Sequence, residues 1–290
     1  PLQQLQALVL LTLSVLASLL LVLRHRPALV IGLGGYASVP AAVAAWCLRR
    51  PLLLQEQNAV AGSANRFLSR LARCVTTGFP GVLSAHRDAR YLGNPVREDL
   101  QPIAAQHPWA WDGARPLQVL VLGGSLGARP LNEALPAIAR ALGDGCHWRH
   151  QCGAAHADAV REAYAGLAGV RCSVEPFIED MGEAYAWADL VICRAGALTV
   201  AELAVTGRPS ILVPLPHAID DHQTANARFL ADAGAARLIP QAELARRLPA
   251  TLETLLAEPA TLASMARAAL GCARPRATQD LADCAMELLS

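Results

Sequence analysis

Residues 123–129 read Gly-Gly-Ser-Leu-Gly-Ala-Arg, and what flanks them constrains the chain more than any other feature. Before them lies a buried-strand pattern, Leu117-Gln118-Val119-Leu120-Val121-Leu122; after them Leu131, Leu135, Ile138 and Leu142 recur with helical spacing. A strand that turns on glycines into a helix leaves the first backbone N–H groups of that helix unpaired and aimed outward. The helix dipole adds partial positive charge there, and glycine lets a ligand come close to the backbone. An anion, naturally a diphosphate, suits such a turn, although an ordinary tight turn between strand and helix fits this stretch alone equally well. A second glycine turn, Gly32-Leu33-Gly34-Gly35-Tyr36-Ala37-Ser38, follows another strand pattern at 28–31. Two such turns in one chain predict two Rossmann-like halves.

The length of 290 residues accommodates two domains, and an apolar, aromatic-poor composition with a net charge of +1 excludes a disordered chain or a typical nucleic-acid binder. Every basic side chain is Arg. Residues 1–115 hold 11 Arg against 5 acidic residues, and residues 116–290 hold 14 against 19. A basic, apolar first half suits an anionic membrane surface, with an incidental imbalance between domains as the alternative. The eight cysteines, Cys47, Cys74, Cys146, Cys152, Cys172, Cys193, Cys272 and Cys284, form no C-x-x-C pair, which points to free thiols in a reducing cytoplasm and to no metal site.

Residues 1–23 carry no charge, and 7–23 are almost wholly apolar before Arg24-His25-Arg26. This length barely spans a bilayer. With no basic leader and no small-residue cleavage site it does not read as a signal peptide. The expectation is a helix of the fold with a membrane-facing side. Pro1 is not a natural start, which suggests sequence upstream.

Beyond Arg26 strands and helices alternate, as in an α/β protein with parallel sheets. Strands are predicted at 28–31, 52–55 and 74–77, with helices at 39–48 and 63–72, the latter with Ser63 as N-cap. The expected domains are 1–97, a linker over 98–116 rich in Pro and Gly, and 117–290, with the last helix packing back on the first domain. The second half predicts strands at 117–122, 147–151, 170–174, 190–193 and 210–213. Its helices are expected after 129, at 157–167, 180–187 and 198–206, the last ending at Gly207, and from about 223, 241, 259 and 278.

The informative positions, most of them polar, fall just after the predicted strands, where open α/β sheets bind ligands: Asn58, Arg97, Ser125, Phe177, Arg194, Glu202 and Asp220-Asp221-His222-Gln223. Seven stretches then occur in a telling order: Gly-Leu-Gly-Gly-Tyr-Ala-Ser-Val-Pro (32–40), Gln-Glu-Gln-Asn-Ala-Val-Ala-Gly (55–62), Gly-Asn-Pro-Val-Arg (93–97), the 123–129 turn, Phe-Ile-Glu-Asp-Met (177–181), Cys-Arg-Ala-Gly-Ala-Leu-Thr-Val-Ala-Glu (193–202) and Asp-Asp-His-Gln-Thr-Ala-Asn-Ala (220–227). From 27 to about 275 the chain resembles the MurG family, bacterial N-acetylglucosaminyltransferases of peptidoglycan synthesis.

The resemblance implies a GT-B fold, two Rossmann-like domains with parallel sheets facing a central cleft, the N-terminal one incomplete. It implies an inverting transfer of GlcNAc from UDP-GlcNAc to the C4 hydroxyl of undecaprenyl-diphospho-MurNAc-pentapeptide (lipid I), giving lipid II. The place is the cytoplasmic face of the inner membrane, held peripherally, with no cofactor and with other cell-wall synthesis proteins as partners. Phe177 and the backbone of Ile178 would hold uracil, and Glu202 would accept from the ribose hydroxyls. Ser125 and the 123–128 amides would hold the diphosphate with Arg97 and Arg194, beside Leu198 and Thr199. Asn58, His222 and Gln223 would bind GlcNAc hydroxyls, and Gly34, Gly35, Tyr36 and Ser38 would face the acceptor's diphosphate.

These residue types fit without the family. Phe177 offers a ring face to a base, or is a core residue beside Met181 and Tyr185. Glu202, one turn into a helix, can take two hydroxyl protons, or is merely solvated. Arg97 can grip a phosphate with two N–H groups, or serves an ion pair. His222 and Gln223 can instead cap the helix that follows, and His217 reads as a loop-shaping residue. Asp220-Asp221 alone is a weak metal signal. The family's first glycine turn, Gly-Gly-Thr-Gly-Gly-His, with its candidate acceptor-side His, has no counterpart before Ala28, so no general base is named and the expected base lies upstream. A non-catalytic UDP-sugar-binding remnant of the family is the alternative, and another GT-B enzyme, such as a UDP-sugar epimerase, is a third.

Overall fold

A computed structural model describes residues 2–124, 126–216 and 218–289 of the chain. Ser125 and His217 therefore lie outside the described residues. In chain order the elements are α1 (Leu2–His25), β1 (Val30–Gly32), α2 (Val39–Cys47), β2 (Leu52–Glu56), α3 (Ser63–Leu68), β3 (Cys74–Thr77), β4 (Ala89–Tyr91) and α4 (Ile103–Gln106). They continue with β5 (Leu117–Leu122), α5 (Arg129–Leu142), β6 (Cys146–Gln151), α6 (Ala157–Tyr164), β7 (Arg171–Glu175), α7 (Met181–Trp187), β8 (Leu190–Cys193) and α8 (Ala197–Thr206). β9 (Ser210–Leu212), α9 (His222–Asp232), β10 (Ala236–Leu238), α10 (Leu244–Ala257), α11 (Pro259–Gly271) and α12 (Ala277–Glu287) complete the fold. The chain divides into two compact units, Pro1–Pro95 with Arg276–Ser290, and Val96–Pro275.

In the first unit, four parallel strands run in the order β1-β2-β3-β4. Successive side chains of β2 point to opposite faces, and both faces are covered. Leu52 and Leu54 pack with Val75, Ala42, Leu68 and Ala72, the last three from α2, α3 and the turn after α3. Leu53 and Cys74 pack instead with Cys284 and Leu288, the former on α12. The Sγ atoms of Cys74 and Cys284 lie 3.4 Å apart. α1 packs along α2 and leaves Leu13, Leu16, Leu20, Leu21 and Leu23 exposed. Among the described residues no helix is long and apolar enough to cross a membrane.

The second unit is a six-stranded parallel sheet in the order β10-β9-β8-β5-β6-β7. β5 reads as an apolar run broken only at half-buried Gln118 because it is buried on both faces beyond that point, with Leu117, Val119 and Val121 in one core with Leu131, Leu135 and Ile138 of α5 and Leu248 and Leu252 of α10. Each such leucine stabilises the unit by about 1.5–3 kcal/mol through burial. From β5 the chain builds β6 and β7 to one side, then crosses over to lay β8, β9 and β10 on the other. The switch between β5 and β8 pairs Leu122 with Cys193, so the loops leaving these two strands start side by side. Open parallel sheets bind ligands at such a point.

Several elements differ from expectation. The 3₁₀ turn Glu98–Leu100 and α4 lie within the stretch read as a linker, and that stretch belongs to the second unit. α3 ends at Leu68 rather than 72, and its N-cap is Gly62, with Ser63 already helical. The strand expected over 28–31 starts at Val30, and the helix read as running to 167 ends at Tyr164. β4 and β10 were not foreseen: each is three residues long, lies at a sheet edge and carries a central Arg. Gly207, expected to end α8, does so in the left-handed conformation at φ 66°.

Candidate functional site

The second unit's strand ends converge on the glycine turn. Gly127 has φ +79°, and a Cβ there would lie 2.0 Å from the Cys152 carbonyl oxygen. A Cβ on Gly123 would lie 2.8 Å from the Gln151 oxygen, and one on Gly153 would lie 2.7 Å from the Gly127 nitrogen. The turn thus rests directly on the loop that leaves β6, and only hydrogen fits at these contacts. Two of its amides are committed: Gly123 N–H donates to Gln151 O at 3.0 Å and Gly127 N–H to Gly124 O at 2.9 Å. This narrows the expectation that the 123–128 amides act together on a diphosphate. Among the described residues of the turn, the amides of Gly124, Leu126 and Ala128 do not enter these backbone bonds.

On the β8 side, Gly196 caps the start of α8, with Leu198 and Thr199 in its first turn. Leu198 is 51% exposed. Glu202, one turn further, accepts a hydrogen bond from the Tyr185 hydroxyl of α7 at 2.9 Å. Burial pushes its carboxyl above the ordinary value, while that hydrogen bond and the Arg97 charge pull it back. Glu202 is therefore no solvated helix carboxylate. Arg97 falls in the second unit, where its guanidinium pairs with Asp99 at 3.0 Å and its charge acts on both Glu202 and Tyr185. Both readings of Arg97 thus have a physical basis, since the pair with Asp99 is solvent-exposed on both sides and weak.

Phe177, just past β7, has half its surface exposed, whereas Ile178 is buried. An open aromatic face rather than a core ring results. Arg194, after β8, donates to the carbonyls of Val213 and Pro214 at 3.1 and 3.2 Å and to Gln241 at 2.7 Å, so much of its guanidinium braces the loop after β9. Burial lowers its pKa. Gln223 supports the same loop, its Oε1 accepting the Leu215 N–H at 2.9 Å. His222 opens α9, and Thr224 donates to the Asp221 side chain at 2.7 Å. Asp220 and Asp221 hold left-handed backbone, φ 55° and 50°, a conformation of modest cost for Asp.

The first unit has its own constellation at the ends of β1 and β2. Gly34 and Gly35 have φ +88° and +75°, and Cβ on Gly34 would press on Asn65 and Gln57 at 3.2 and 3.3 Å. The Ser38 hydroxyl donates to Gly35 O at 2.8 Å, closing the turn before α2. The Tyr36 hydroxyl meets Ser63 Oγ at 3.0 Å while the ring stands 73% exposed. Glu56 ends β2 with 2% exposure and accepts from the Asn58 backbone N–H at 2.9 Å and its Nδ2 at 3.4 Å, the Gly62 N–H at 3.1 Å and Asn65 Nδ2 at 2.8 Å. A buried carboxylate holding four N–H groups is what sets the shape of the Asn58 loop. Sequence reasoning missed it; the available signal was an acid closing the apolar run Leu52-Leu53-Leu54, two residues before Asn58. No cluster of metal-ligating side chains occurs among the described residues.

Two parallel α/β units, one with a phosphate-type turn at its topological switch, are the architecture of the GT-B glycosyltransferases. Comparison with known proteins narrows this to one family. The family model described as "Glycosyltransferase family 28 C-terminal domain" matches residues 118–284, and that described as "Glycosyltransferase family 28 N-terminal domain" matches residues 2–77. The chain belongs to glycosyltransferase family 28. The N-terminal match includes α1, so the resemblance does not begin at residue 27 as the motifs alone suggested. A relative from Alkalilimnicola ehrlichii, named UDP-N-acetylglucosamine–N-acetylmuramyl-(pentapeptide) pyrophosphoryl-undecaprenol N-acetylglucosamine transferase, is 53% identical over 91% of this chain and 74% of its own length. The crystal structure of Acinetobacter baumannii MurG is similar with a TM-score of 0.82 and 40% identity, over 94% of this chain and 77% of that one. A UDP-GlcNAc 2-epimerase from Neisseria meningitidis, with a TM-score of 0.66 over 96% and 81% of the two chains, shares 11% identity and so the fold alone.

Proposed function

We propose that this chain is an inverting N-acetylglucosaminyltransferase that moves GlcNAc from UDP-GlcNAc to the C4 hydroxyl of lipid I, giving lipid II in peptidoglycan synthesis. The kinship with the Alkalilimnicola transferase carries this reading, because a GT-B fold by itself hosts many chemistries.

The second unit takes the donor. The Phe177 ring offers a face to uracil, and the Ile178 backbone supplies hydrogen bonds at its edge. Glu202, steadied by Tyr185, accepts from the ribose hydroxyls. The 123–128 turn, with Ser125, Arg97, Arg194 and the first turn of α8 at Leu198 and Thr199, faces the diphosphate. His222 and Gln223 serve GlcNAc hydroxyls. As the bond to the anomeric carbon breaks, negative charge grows on the departing UDP. Backbone N–H groups already oriented toward it stabilise that charge without reorganising, and loss of one such donor slows a reaction by about 10²–10³. Inversion follows from a single displacement by the acceptor hydroxyl on the opposite face, with its proton taken by a general base.

The first unit takes the acceptor. Gly34, Gly35, Tyr36 and Ser38 face its diphosphate at the N-terminal end of α2, and Asn58, held by Glu56, offers its amide to a sugar hydroxyl. The exposed leucines of α1 and Trp46, together with Arg24, Arg26, Arg49 and Arg50, form an apolar and basic face suited to an anionic membrane. Peripheral attachment by that face brings a lipid-linked acceptor within reach.

The test is turnover of UDP-GlcNAc with a lipid I analogue. A disaccharide product of inverted anomeric configuration is expected. Donor binding without transfer would support the non-catalytic remnant, and conversion of UDP-GlcNAc to its 2-epimer would support an epimerase.

A further inference from the structure

Beneath the glycine turn runs a chain of buried polar groups with no part in the proposed donor contacts. Asn132 on α5 donates from Nδ2 to the Cys152 carbonyl at 3.0 Å, the same oxygen that presses on Gly127. Its Oδ1 meets His150 Nε2 at 3.0 Å, and His150 Nδ1 meets the Tyr164 hydroxyl at 3.2 Å. The His150 and Tyr164 rings pack edge to face, 5.9 Å between centroids. His150 has no exposed surface, and Asn132 and Tyr164 have 6% and 8%.

The donor directions follow from chemistry. An amide oxygen only accepts, so the imidazole proton sits on Nε2, and Nδ1 then accepts from the Tyr164 O–H. The relay reads Tyr164 to His150 to Asn132 to the Cys152 carbonyl, linking α6, β6 and α5 to the floor of the turn. Asn132 lies in the first turns of α5, the helix that the glycine turn enters, so one side chain registers both the floor and the helix. Burial holds the imidazole pKa down to about 4, so the relay is neutral near pH 7 and places no charge under a diphosphate.

We propose that His150 is a positioning residue for donor binding, which through Asn132 fixes the carbonyl on which the glycine turn rests. This inference rests on the reading that the turn receives the donor diphosphate.

The experiment measures dissociation constants of UDP and of uridine for wild type, His150→Leu and Tyr164→Phe. A misplaced turn weakens only the ligand that carries phosphates. For His150→Leu the UDP constant should rise about tenfold or more while that of uridine stays within about twofold. Tyr164→Phe, which keeps the imidazole but removes its donor, should show the same pattern at about three- to fivefold, and it carries the test if His150→Leu does not fold. His150→Gln, which can still donate toward Asn132, should recover part of the UDP affinity. Equal losses for both ligands, or no loss for either, would overturn the proposal. If wild type bound UDP no more tightly than uridine, the diphosphate reading would fail first, and this inference with it.

Discussion

The Tyr185 hydroxyl donates to a Glu202 carboxylate oxygen at 2.9 Å, joining α7 to α8 and leaving a largely buried acid with one partner built in. Burial raises that acid's pKa, and the Tyr185 bond is the first influence pulling it back. Tyr185→Phe should therefore raise the pKa further and lower UDP affinity about five- to tenfold, in keeping with the worth of a hydrogen bond to a charged group. Accepting from ribose hydroxyls requires the carboxylate. UDP affinity should thus weaken as pH falls, with an onset at higher pH than an ordinary glutamate gives, and Glu202→Gln should remove that dependence. Calorimetric titrations across pH check both statements; an unchanged profile in Tyr185→Phe would remove Tyr185 from the site.

Gly127→Ala should cost stability and donor affinity together. The left-handed backbone at φ +79° alone costs an alanine about 1–2 kcal/mol, and its methyl would meet the Cys152 carbonyl. The turn must move, so UDP binding should fall more than tenfold while acceptor-side variants such as Tyr36→Phe leave it intact. Thermal unfolding and UDP titration of the same sample decide this, and wild-type values for both would show that the turn tolerates a methyl at this position.

Much of the framework was legible because parallel strands buried on both faces read as apolar runs. The strands 74–77, 117–122 and 190–193 fall where the sequence places them. β4, Ala89-Arg90-Tyr91, and β10, Ala236-Arg237-Leu238, carry no such run, since edge strands have one unpaired side and tolerate charge. At the site, Phe177 and Glu202 were legible as residue types near strand ends. His150 was not, because its role rests on partners distant in sequence, Asn132 and Tyr164; Glu56 left only the faint signal of an acid just past an apolar run, since its grip on Asn58, Gly62 and Asn65 shows only in the fold. Arg194 read as a phosphate ligand, and the structure adds its grip on the carbonyls of Val213 and Pro214.

Stability should depend on pH through His150. Its folded pKa, about 4, lies below the ordinary 6.5, so between these values the unfolded chain binds more protons and stability falls as pH falls. The full difference amounts to roughly 3 kcal/mol, present above pH 6.5 and lost progressively down to about 4. The groups facing the ring, Tyr164 and Asn132, stay neutral throughout this range, and burial raises the thiol pKa of nearby Cys152 and Cys172. Denaturant unfolding at several pH values should show this slope in wild type and a shallower one in His150→Leu; equal slopes would assign the dependence to other groups.

Membrane attachment should depend on α1. Leu16 and Leu20 are 52% and 69% exposed. Leu16→Glu with Leu20→Glu places two carboxylates on an apolar face and should lower binding to vesicles containing anionic lipid by roughly tenfold or more, with weaker binding at high salt in wild type as well. UDP affinity should not change. Vesicle flotation checks this, and undiminished flotation of the double variant would locate the attachment elsewhere.

On the proposed function the Val96–Pro275 unit grips a uridine-diphosphate sugar through its glycine turn and Glu202. Isothermal titration of wild type and Glu202→Ala with UDP-GlcNAc tests it most directly. One site per chain is expected, with preference for UDP-GlcNAc over UDP-GalNAc and over the adenosine-diphosphate sugar, and at least tenfold weaker binding in Glu202→Ala. Equal affinity for the adenosine and uridine ligands, or an unchanged constant in Glu202→Ala, would contradict it.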